Sequence, residues 1–506
     1  MKRLLALSFI VCQLSFGIAQ TNPIIPGYHP DPSICRVGTD YYLVNSSFQY
    51  FPGVPIFHST DLQHWEQIGN VLTRPSQLPL EGATSWLGIY APTIRHHDGT
   101  YYMITTNVGK RGNFMVTARD PRGPWSEPIW LQQQGIDPSL LFEDGKCYMV
   151  SNPDNTITLC EIDPSTGRQL TESRPVWQGT GGRWPEGPHI YKKDGYYYLL
   201  ISEGGTELAH SITIARSRHI YGPYEANPQN PILTHCSRKG QDSQIQGTGH
   251  GDLVQDPQGR WWLTFLAYRQ YGGSYHHIGR ETFLAPVEWP QGGWPVVNGG
   301  NPIVPRQREP IAVRDDFDRP LGPEWVYLQN PDMGSYQMGN GRLRLLGSAS
   351  DLRTNKTPTF VGRRQESAFF AFDTKISNCH LTDKAEAGIS VYQINDGYAQ
   401  LCVVQEGGKR KVVLRLNMKN VNTVLASTPL AGNTEGLWLR VDSDSKNYRF
   451  SCSADGEHYQ PVGELDCTLL STETVGGFTG VTLGLYAFGQ GQADFDFVAY
   501  TEKQEQ

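Results

Sequence analysis

A short phrase recurs five times in the first part of this chain and limits the folds that it can adopt. Each copy is a turn followed directly by aromatic residues, and the copies begin at Asp40, Asp98, Asp144, Asp194 and Gln258. The Asp-Gly pair found in several copies tolerates the positive φ of a tight hairpin turn, and aromatic residues favour the half-buried strand that follows. The copies lie about 46 to 64 residues apart, which is the spacing of propeller blades built from four strands each.

A second regularity stands upstream of each copy, about eleven or twelve residues before its second aromatic residue. Asp31, Ala91, Asp137, Glu186 and His250 occupy that position. Equal offsets within a repeat indicate equivalent positions in each blade. If that position starts the innermost strand, three carboxyl groups and one imidazole converge on the propeller axis. An aspartate before proline is by itself typical of a turn, but the full set in register with the turns favours a functional site.

These residues lie in segments that resemble glycoside hydrolase family 43, the five-bladed propeller enzymes that remove arabinose or xylose from plant polysaccharides. The likeness covers about residues 21 to 300 and is greatest to the branch of α-L-arabinofuranosidases and β-xylosidases with an added C-terminal sandwich. Tyr90 stands where a tryptophan is commoner and Gly251 where an alanine is commoner, and both positions concern the lining of the pocket. The matching segments are Asn22-Pro23-Ile24, His29-Pro30-Asp31-Pro32-Ser33, Ser46 to Pro55, Gly135-Ile136-Asp137-Pro138-Ser139, Pro185-Glu186-Gly187-Pro188-His189 and Gly279-Arg280-Glu281-Thr282-Phe283.

The resemblance implies a role for each of the three carboxyl groups. Asp31 is expected to be the general base, Glu186 the general acid, and Asp137 the residue that orients Glu186 and tunes its pKa. A carboxylate near Glu186 opposes ionisation of that group, so we expect Glu186 to stay protonated near neutral pH. Family members invert the anomeric configuration, which requires room for a water molecule between base and acid.

Two further residues are expected at the site through the same resemblance. His250 is predicted to hold a water-coordinated calcium ion or to hydrogen-bond the carboxylates, since calcium prefers oxygen ligands; a purely structural histidine is the alternative. Arg280 is predicted to reach the sugar or the catalytic carboxylates, where a buried arginine beside acids is favourable. The alternative for Arg280 is a surface position.

Aromatic residues are candidates for the walls of the sugar pocket, because aromatic faces stack on the apolar side of a sugar ring. Phe48, Trp86 and Tyr90 are predicted to bind substrate in this way, and ordinary propeller core is the alternative for each. Phe478, in Gly476-Gly477-Phe478-Thr479-Gly480, is predicted to reach the site from the second domain, as a sandwich loop does in related xylosidases.

The pattern of the sequence changes after a connector at Pro302 to Pro310. From Asp315 onward, alternating or continuous apolar runs predict strands without the turn–aromatic phrase, and about 190 residues of this kind favour a β-sandwich. This part resembles the concanavalin-like sandwich of related β-xylosidases. The expected fold is therefore all-β: a five-bladed β-propeller over residues 21–308, followed by a concanavalin-like β-sandwich over residues 313–506.

The N-terminus has the pattern of a signal peptide over residues 1–20. Lys2 and Arg3 precede an apolar run that is too short for a transmembrane helix, and small residues follow at Gly17-Ile18-Ala19. Val11 before Cys12 is a poor fit to a lipidation site. The chain is thus expected to cross the inner membrane and to reside in the periplasm. The eight cysteines beyond residue 20 show no C-x-x-C spacing, and an oxidising compartment permits one or two disulfides.

Composition excludes several classes of partner. The formal net charge is −7 and no long basic run occurs, which argues against nucleic acid and anionic membranes. The leading function is an exo-acting inverting glycosidase that needs no cofactor and releases terminal α-L-arabinofuranose from arabinose- or xylose-containing oligosaccharides. β-Xylosidase activity, alone or in addition, is the first alternative. A non-catalytic glycan-binding propeller is the second, although such a binder has no need of an acid–base pair. The oligomeric state does not follow from the sequence.

Overall fold

The structure is a computed structural model that describes residues 21–236, 243–430 and 436–504. The predicted signal peptide lies outside the described residues. The described chain is all-β, with five small antiparallel sheets followed by two large ones. The five small sheets are the blades of a β-propeller, and the two large sheets form the C-terminal sandwich. Both parts of the expected fold class are therefore confirmed.

The propeller strands follow one another in chain order, and each blade begins with its innermost strand. The first blade contains β1 (Ser33–Val37), β2 (Asp40–Val44), β4 (Gly53–Ser59) and β5 (Glu66–Leu72), while β3 (Tyr50–Phe51) leaves the blade for the sandwich. The second contains β6 (Gly88–His97), β7 (Thr100–Val108), β8 (Gly112–Ala118) and β9 (Ile129–Trp130). The third contains β10 (Ile136–Glu143), β11 (Lys146–Asn152), β12 (Ile157–Ile162) and β13 (Arg174–Trp177). The fourth contains β14 (Glu186–Lys193), β15 (Tyr196–Glu203), β16 (Ser211–Ser217), β17 (Glu225–Ala226) and β18 (Leu233–Thr234), and the fifth contains β19 (Ile245–Gln255), β20 (Trp261–Arg269), β21 (Glu281–Glu288) and β22 (Val296–Val297).

The repeated phrase forms the hairpin between the first two strands of a blade. Asp98 and Gly99 have φ of 47° and 68°, and Asp194 and Gly195 have φ of 50° and 76°. Two consecutive positive φ values are what a two-residue hairpin turn requires, and Asp-Gly adopts them with little strain. The aromatic residues that follow pair back onto the inner strand, as Tyr198 does with Tyr191.

In four of the five blades, the residue at the equivalent axial position has a positive φ. These values are 55° at Asp31, 54° at Asp137, 57° at Gly187 and 45° at His250. The pairing of the inner strands agrees, because Ser33, Ser139 and His189, each two residues further on, pair with equivalent positions of the second strand. Gly187 is therefore the blade-four equivalent of Asp31, and the expected register is wrong by one residue at Glu186. The fourth copy has three aromatic residues in a row, Tyr196-Tyr197-Tyr198. Counting back from the second of them, rather than from the third, gives Glu186 instead of Gly187.

The sandwich is built from two eight-stranded sheets. Along β28 and β33 buried and half-buried residues alternate, as expected when one face of a sheet meets the core. Its strands are β23 (Ala312–Asp315), β24 (Val326–Leu328), β25 (Tyr336–Met338), β26 (Leu343–Leu346), β27 (Thr359–Arg364), β28 (Phe369–Leu381), β29 (Glu386–Ile394), β30 (Gly397–Glu406), β31 (Lys409–Met418), β32 (Val421–Pro429), β33 (Leu437–Asp444), β34 (Asn447–Ser453), β35 (Gln460–Asp466), β36 (Thr482–Phe488) and β37 (Gly491–Glu502). The described helices are three short 3-10 turns, Asn298–Gly300, Met333–Ser335 and Cys467–Leu470, and α1 (Thr472–Val475).

The two domains share a sheet. Strand β3 leaves the first blade and pairs with β24 of the sandwich, with Phe51 opposite Tyr327 and Tyr50 opposite Leu328. A second contact is a close approach of backbones, since a Cβ on Gly480 would lie 2.1 Å from the carbonyl oxygen of Ile278. Only glycine fits there. The sandwich is thus joined to the segments that flank the propeller axis.

A buried ion-pair hub joins four of the five blades below the level of the axial carboxyl groups. The carboxylate of Asp252 accepts hydrogen bonds from Ser33 at 2.7 Å, Arg95 at 2.8 Å and Tyr191 at 2.6 Å. Its side chain is fully buried, and such a charge is tolerated because these partners satisfy it. The hub fixes the inner strands relative to one another.

The disulfides that the sequence permits are not formed among the described residues. All eight described cysteines are free thiols, and seven of these are buried or half-buried, as isolated structural thiols usually are. No helix within the described ranges is long and apolar enough to cross a membrane.

Candidate active site

Asp31 lies at the axial end of the first blade and is held in one orientation. Its Oδ1 accepts a hydrogen bond from Nη1 of Arg280 at 3.0 Å, and its Oδ2 accepts one from the Ser46 hydroxyl at 2.5 Å. Burial by itself raises the pKa of Asp31, but Arg280, His250 and Ser46 outweigh it, so that the pKa lies below the ordinary value. Asp31 is therefore ionised at neutral pH, as a general base must be.

Asp137 and Glu186 form a coupled pair of carboxyl groups on neighbouring blades. Oδ2 of Asp137 accepts a hydrogen bond from the backbone N–H of Gly187 at 3.0 Å, which ties it to the start of β14. Burial, then the charges of Glu186 and Asp31, raise the pKa of Asp137 well above its ordinary value. Each of two neighbouring carboxyl groups opposes the ionisation of the other, so the pair holds a proton to a higher pH than an isolated aspartate does.

The residue of this pair with the higher pKa is not the one that the sequence predicts. Burial raises the pKa of Glu186, but the hydrogen bond and charge of His210 and the charge of His250 lower it below the ordinary value. The structure therefore favours the proton on Asp137, whereas the sequence predicted it on Glu186. The expectation failed because it considered only the neighbouring carboxylates and not the histidine on the other side of Glu186.

His210 is the site residue that sequence reasoning missed. Its Nε2 lies 3.1 Å from Oε1 of Glu186, its side chain is fully buried, and neither ring nitrogen has another hydrogen-bond partner among the described residues. The ring occupies space that only a glycine opposite leaves open, since a Cβ on Gly249 would lie 2.1 Å from Cε1 of His210. His210 precedes a third strand, outside the turn–aromatic phrase. In the sequence, the one signal for His210 is Gly249, the glycine just before the axial residue His250.

His250 stands on the axis between the acidic residues. Its Nδ1 lies 3.8 Å from Oδ1 of Asp31, and its ring covers Gly187, whose Cβ would lie 3.1 Å from the ring atoms Cε1 and Nε2. Burial, partly opposed by the charges of Asp31 and Glu186, lowers the pKa of His250. The ring thus lies beside the base and over the start of the fourth blade.

Arg280 connects the base to both domains. Besides Asp31, its Nη1 donates to the hydroxyl of Thr206 at 3.0 Å, and its Nε donates to the backbone carbonyl of Phe478 at 3.1 Å. Its residue exposure is 4%. The predicted surface alternative for Arg280 therefore does not describe the structure. A buried guanidinium this well fixed holds the Asp31 carboxylate in place and keeps it charged.

An aromatic wall stands beside Arg280. The ring of Phe48 lies 5.2 Å from that of Tyr90 and 5.5 Å from that of Phe478, and Phe478 belongs to the sandwich. The structure places Trp86 at the rim, with 36% exposure, where its carbonyl accepts a hydrogen bond from the Tyr90 hydroxyl at 2.6 Å. The sandwich thus brings Phe478 beside the site. Phe48 is only 1% exposed, which agrees with the core alternative, and substrate binding by Phe48, Trp86 and Tyr90 stays a prediction.

The side chains around the axis do not fit a metal ion held directly by the protein. Within the described ranges, no three His, Cys, Asp or Glu side chains converge as metal ligands. His250 would offer a single nitrogen to an ion that prefers six to eight oxygen ligands.

Comparison with known proteins matches both domains. The family model described as glycosyl hydrolases family 43 matches residues 20–295, and the model described as the beta xylosidase C-terminal concanavalin A-like domain matches residues 314–501. Together the two matches span nearly all of the described chain.

Similar proteins are found among curated sequences and solved structures. The non-reducing end alpha-L-arabinofuranosidase BoGH43B of Bacteroides ovatus is 42% identical over 94% of this chain and 93% of its own length. A xylosidase/arabinosidase of Butyrivibrio fibrisolvens is 40% identical over 96% of this chain and 98% of its own length. The solved structure described as Bacteroides ovatus xyloglucan PUL GH43B has a TM-score of 0.90 and 41% identity, and the match covers 96% of this chain and 100% of that one.

Proposed function

Because the chain belongs to glycosyl hydrolases family 43 and is a glycoside hydrolase, we propose that it releases α-L-arabinofuranose from non-reducing ends with inversion of configuration. The observation that carries this proposal is the arrangement of three carboxyl groups at the axis: Asp31, whose pKa lies below the ordinary value, and the neighbouring pair of Asp137 and Glu186, in which the pKa of Asp137 is raised. An inverting glycosidase needs one carboxylate and one carboxylic acid at the same time.

Asp31 acts as the general base in this mechanism. Arg280 and Ser46 hold both of its oxygens, so one lone pair can be directed at a water molecule without rotation of the carboxylate. The ionised carboxylate takes a proton from water as the oxygen attacks the anomeric carbon. Arg280 also remains beside the carboxyl group after it is protonated and favours its return to the charged form.

Glu186 acts as the general acid. It delivers the proton held by the Asp137–Glu186 pair to the glycosidic oxygen as the bond to the anomeric carbon breaks. Asp137 raises the proton affinity of the pair, and His210 limits it by favouring the ionised form of Glu186. The two neighbours thus set the pH at which the pair loses its proton.

The surroundings of the carboxyl groups support action at chain ends. Phe48, Tyr90 and Phe478 contact one another beside Arg280, and the sandwich approaches the propeller at Gly480. A site walled by aromatic side chains from both domains favours one terminal sugar. The similarity to a curated non-reducing end alpha-L-arabinofuranosidase supports arabinofuranose as that sugar.

β-Xylosidase activity is a second candidate, favoured by the 40% identity to a protein named xylosidase/arabinosidase. Arabinofuranose and xylose place matching hydroxyl groups, so one pocket can admit both. The experiment is a comparison of nitrophenol release from aryl α-L-arabinofuranoside and aryl β-xyloside. A higher kcat/KM on the arabinofuranoside supports the proposal, and a higher value on the xyloside replaces it with the second candidate. Glycan binding without turnover of either would indicate a binding module.

Two further properties belong to this proposal. The residues at 1–20 have the pattern of a signal peptide, so we place the enzyme in the periplasm, and fractionation of expressing cells tests this. A calcium ion near His250, held through water, stays a prediction. Removal of divalent cations by a chelator should then lower the melting temperature, and an unchanged melting temperature would argue against the ion.

A further inference from the structure

The position of the acid determines where the leaving part of the substrate must lie. Glu186 can protonate the glycosidic oxygen only from hydrogen-bond distance, and this oxygen departs with the leaving sugar. The leaving sugar therefore lies over the protein surface next to Glu186. That surface, here called the acid-side rim, is formed by residues 180–184, which precede β14, and by residues 203–208, which begin at the last residue of β15.

A tryptophan stands exposed on this rim. Trp184 lies two residues before Glu186, is 51% exposed and has a φ of 49°. Positive φ at a bulky residue is rare and costs free energy, and such backbone outliers cluster at functional sites. Neither core packing nor ordinary turn chemistry requires a tryptophan here. A large ring held in water next to a catalytic acid is suited to stacking on a ligand.

The acid-side rim is a rigid support for this ring. The backbone N–H of Gly204 donates to the carbonyl of Arg183 at 2.7 Å, which ties its two segments together. The carboxylate of Glu203 accepts hydrogen bonds from the backbone of Thr180 and of Gly182, both at 2.9 Å. A Cβ on Gly205 would lie 2.9 Å from Cε3 of the Trp184 ring. The indole therefore packs against the backbone at Gly205.

The same rim is joined to the opposite side of the site. The hydroxyl of Thr206 accepts a hydrogen bond from Nη1 of Arg280, and the same nitrogen donates another hydrogen bond to Asp31. The rim thus extends from the acid to the group that orients the base, which places its exposed side chains, Trp184 and the 49% exposed Leu208, around the exit from the site.

The charges on the rim identify the kind of ligand. Arg183 pairs with Glu207 at 2.9 Å, and its guanidinium lies 4.5 Å from the centre of the Trp184 ring. The pair leaves no net charge on the surface, so nothing there selects an acidic or basic group. Aromatic and aliphatic surface with a neutralised ion pair suits the C–H face and hydroxyl groups of an uncharged sugar.

We propose that the acid-side rim is the leaving-group subsite, in which Trp184 stacks on the first neutral pyranose ring of the polysaccharide that carries the released sugar. This inference rests on the proposed function and deepens it, because the rim then determines which polymer the enzyme accepts. Arg183 orients the ring of Trp184 and offers hydrogen bonds to the hydroxyl groups of the same sugar.

The test compares two substrates that need the same proton from Glu186 but differ in the leaving ring. These are arabinofuranosyl-substituted xylotriose and methyl α-L-arabinofuranoside, which has no leaving ring. In Trp184→Ala the ratio of their kcat/KM values should fall about tenfold, the change that an aromatic contact of about 1.4 kcal/mol gives. Trp184→Phe should restore most of the wild-type ratio. Inhibition by xylotriose should weaken in Trp184→Ala by a similar factor.

The matched control is Trp130→Ala. Trp130 also has an arginine 4.5 Å from its ring centre, Arg111, but it lies on the outermost strand of the second blade, so the ratio should stay at the wild-type value. An unchanged ratio and unchanged xylotriose inhibition in Trp184→Ala would overturn the proposal. If the wild type cleaves neither arabinoside, the proposed function fails. Calorimetric titration with xylotriose then tests the rim alone: weaker binding to Trp184→Ala supports it, and equal binding overturns it.

Discussion

The propeller and the sandwich take part in the site in different ways. In the propeller, the start of an inner strand is a buried polar residue with positive φ in three blades, at Asp31, Asp137 and His250. In the sandwich, one loop reaches the site and supplies the ring and the backbone carbonyl of Phe478. The propeller therefore supplies the groups that exchange protons, and the sandwich shapes the space in which they act.

This difference follows from how each domain is built. A propeller repeats one strand arrangement around an axis, so any polar residue at the start of inner strands meets its equivalents at the centre. A sandwich buries the inner faces of its two sheets against each other and leaves function to its loops. Changes to the axial carboxyl groups of the propeller should thus alter chemistry, and changes to the sandwich loop should alter binding.

The largest effect is expected at Asp31. Asp31→Asn removes the group that deprotonates water, so kcat should fall by about 10²–10⁴-fold on every substrate, whatever its leaving group. Asp256→Asn is the matched control, since Asp256 is a buried aspartate of the fifth blade that pairs with Arg260 away from the axis. A loss of less than tenfold in folded Asp31→Asn would remove Asp31 from the role of base.

Glu186→Gln should have an effect of similar size that depends on the leaving group. An oligosaccharide leaves poorly without a proton, so its hydrolysis should fall by about 10²–10⁴-fold. A dinitrophenolate leaves largely unaided and should retain much more activity. Steady-state kinetics on both substrates measures the contrast. Equal losses across leaving groups, with the fold intact, would show that Glu186 is not the acid.

The sandwich loop should matter less, and through binding. Phe478→Ala removes one wall of the site, and we expect kcat/KM to fall roughly tenfold, mostly through KM, because an aromatic contact is worth about 1 kcal/mol in addition to its buried area. Tyr459→Ala is the control, since Tyr459 packs under Arg440 elsewhere in the sandwich. A drop in kcat as large as that of Asp31→Asn would contradict the division between chemistry and binding.

The smallest effects are expected in the pH profile, and they should have opposite signs. Burial and the neighbouring carboxylates hold a proton on the Asp137–Glu186 pair, while His210 and His250 lower the pKa of Glu186. Asp137→Asn removes a negative charge, so the pKa of Glu186 falls and the alkaline limb should move to lower pH. His210→Gln removes the interaction that lowers this pKa, so the limb should move to higher pH.

Shifts of roughly one unit are expected for such neighbours, measured as kcat/KM on an oligosaccharide across the pH range. The acidic limb, which follows Asp31, should stay nearly in place in both variants. Shifts of the same sign in Asp137→Asn and His210→Gln would show that the two residues do not act on Glu186 from opposite sides.

Much of the propeller could be predicted from its sequence because the fold repeats. Asp-Gly turns and aromatic strands mark each blade, and they place Asp31, Asp137 and His250 at equivalent positions. Glu186 was assigned to the site, but the count placed it at the axial position that Gly187 occupies. The count started from the second aromatic residue of each copy, and in the fourth copy a third aromatic residue shifts the register by one. Strand pairing, which places Gly187 in line, resolves it.

The rest of the site depends on contacts between segments that have no repeat. His210 reaches Glu186 from the start of a third strand, through space left by Gly249, and neither residue belongs to the repeated phrase. This contact, together with the charge of His250, lowers the pKa of Glu186, while burial raises the pKa of Asp137. The bond from Arg280 to the Phe478 carbonyl likewise links residues 198 positions apart, and it depends on how the domains pack.

The most direct test of the central claim, that Asp31 activates water while Glu186 protonates the leaving oxygen, is the configuration of the first sugar released. Proton NMR of an α-L-arabinofuranoside recorded immediately after enzyme is added should show the β anomer first, with the α anomer appearing only as the sugar equilibrates. First formation of the α anomer would mean that a carboxylate attacks the sugar directly, and it would contradict the role assigned to Asp31.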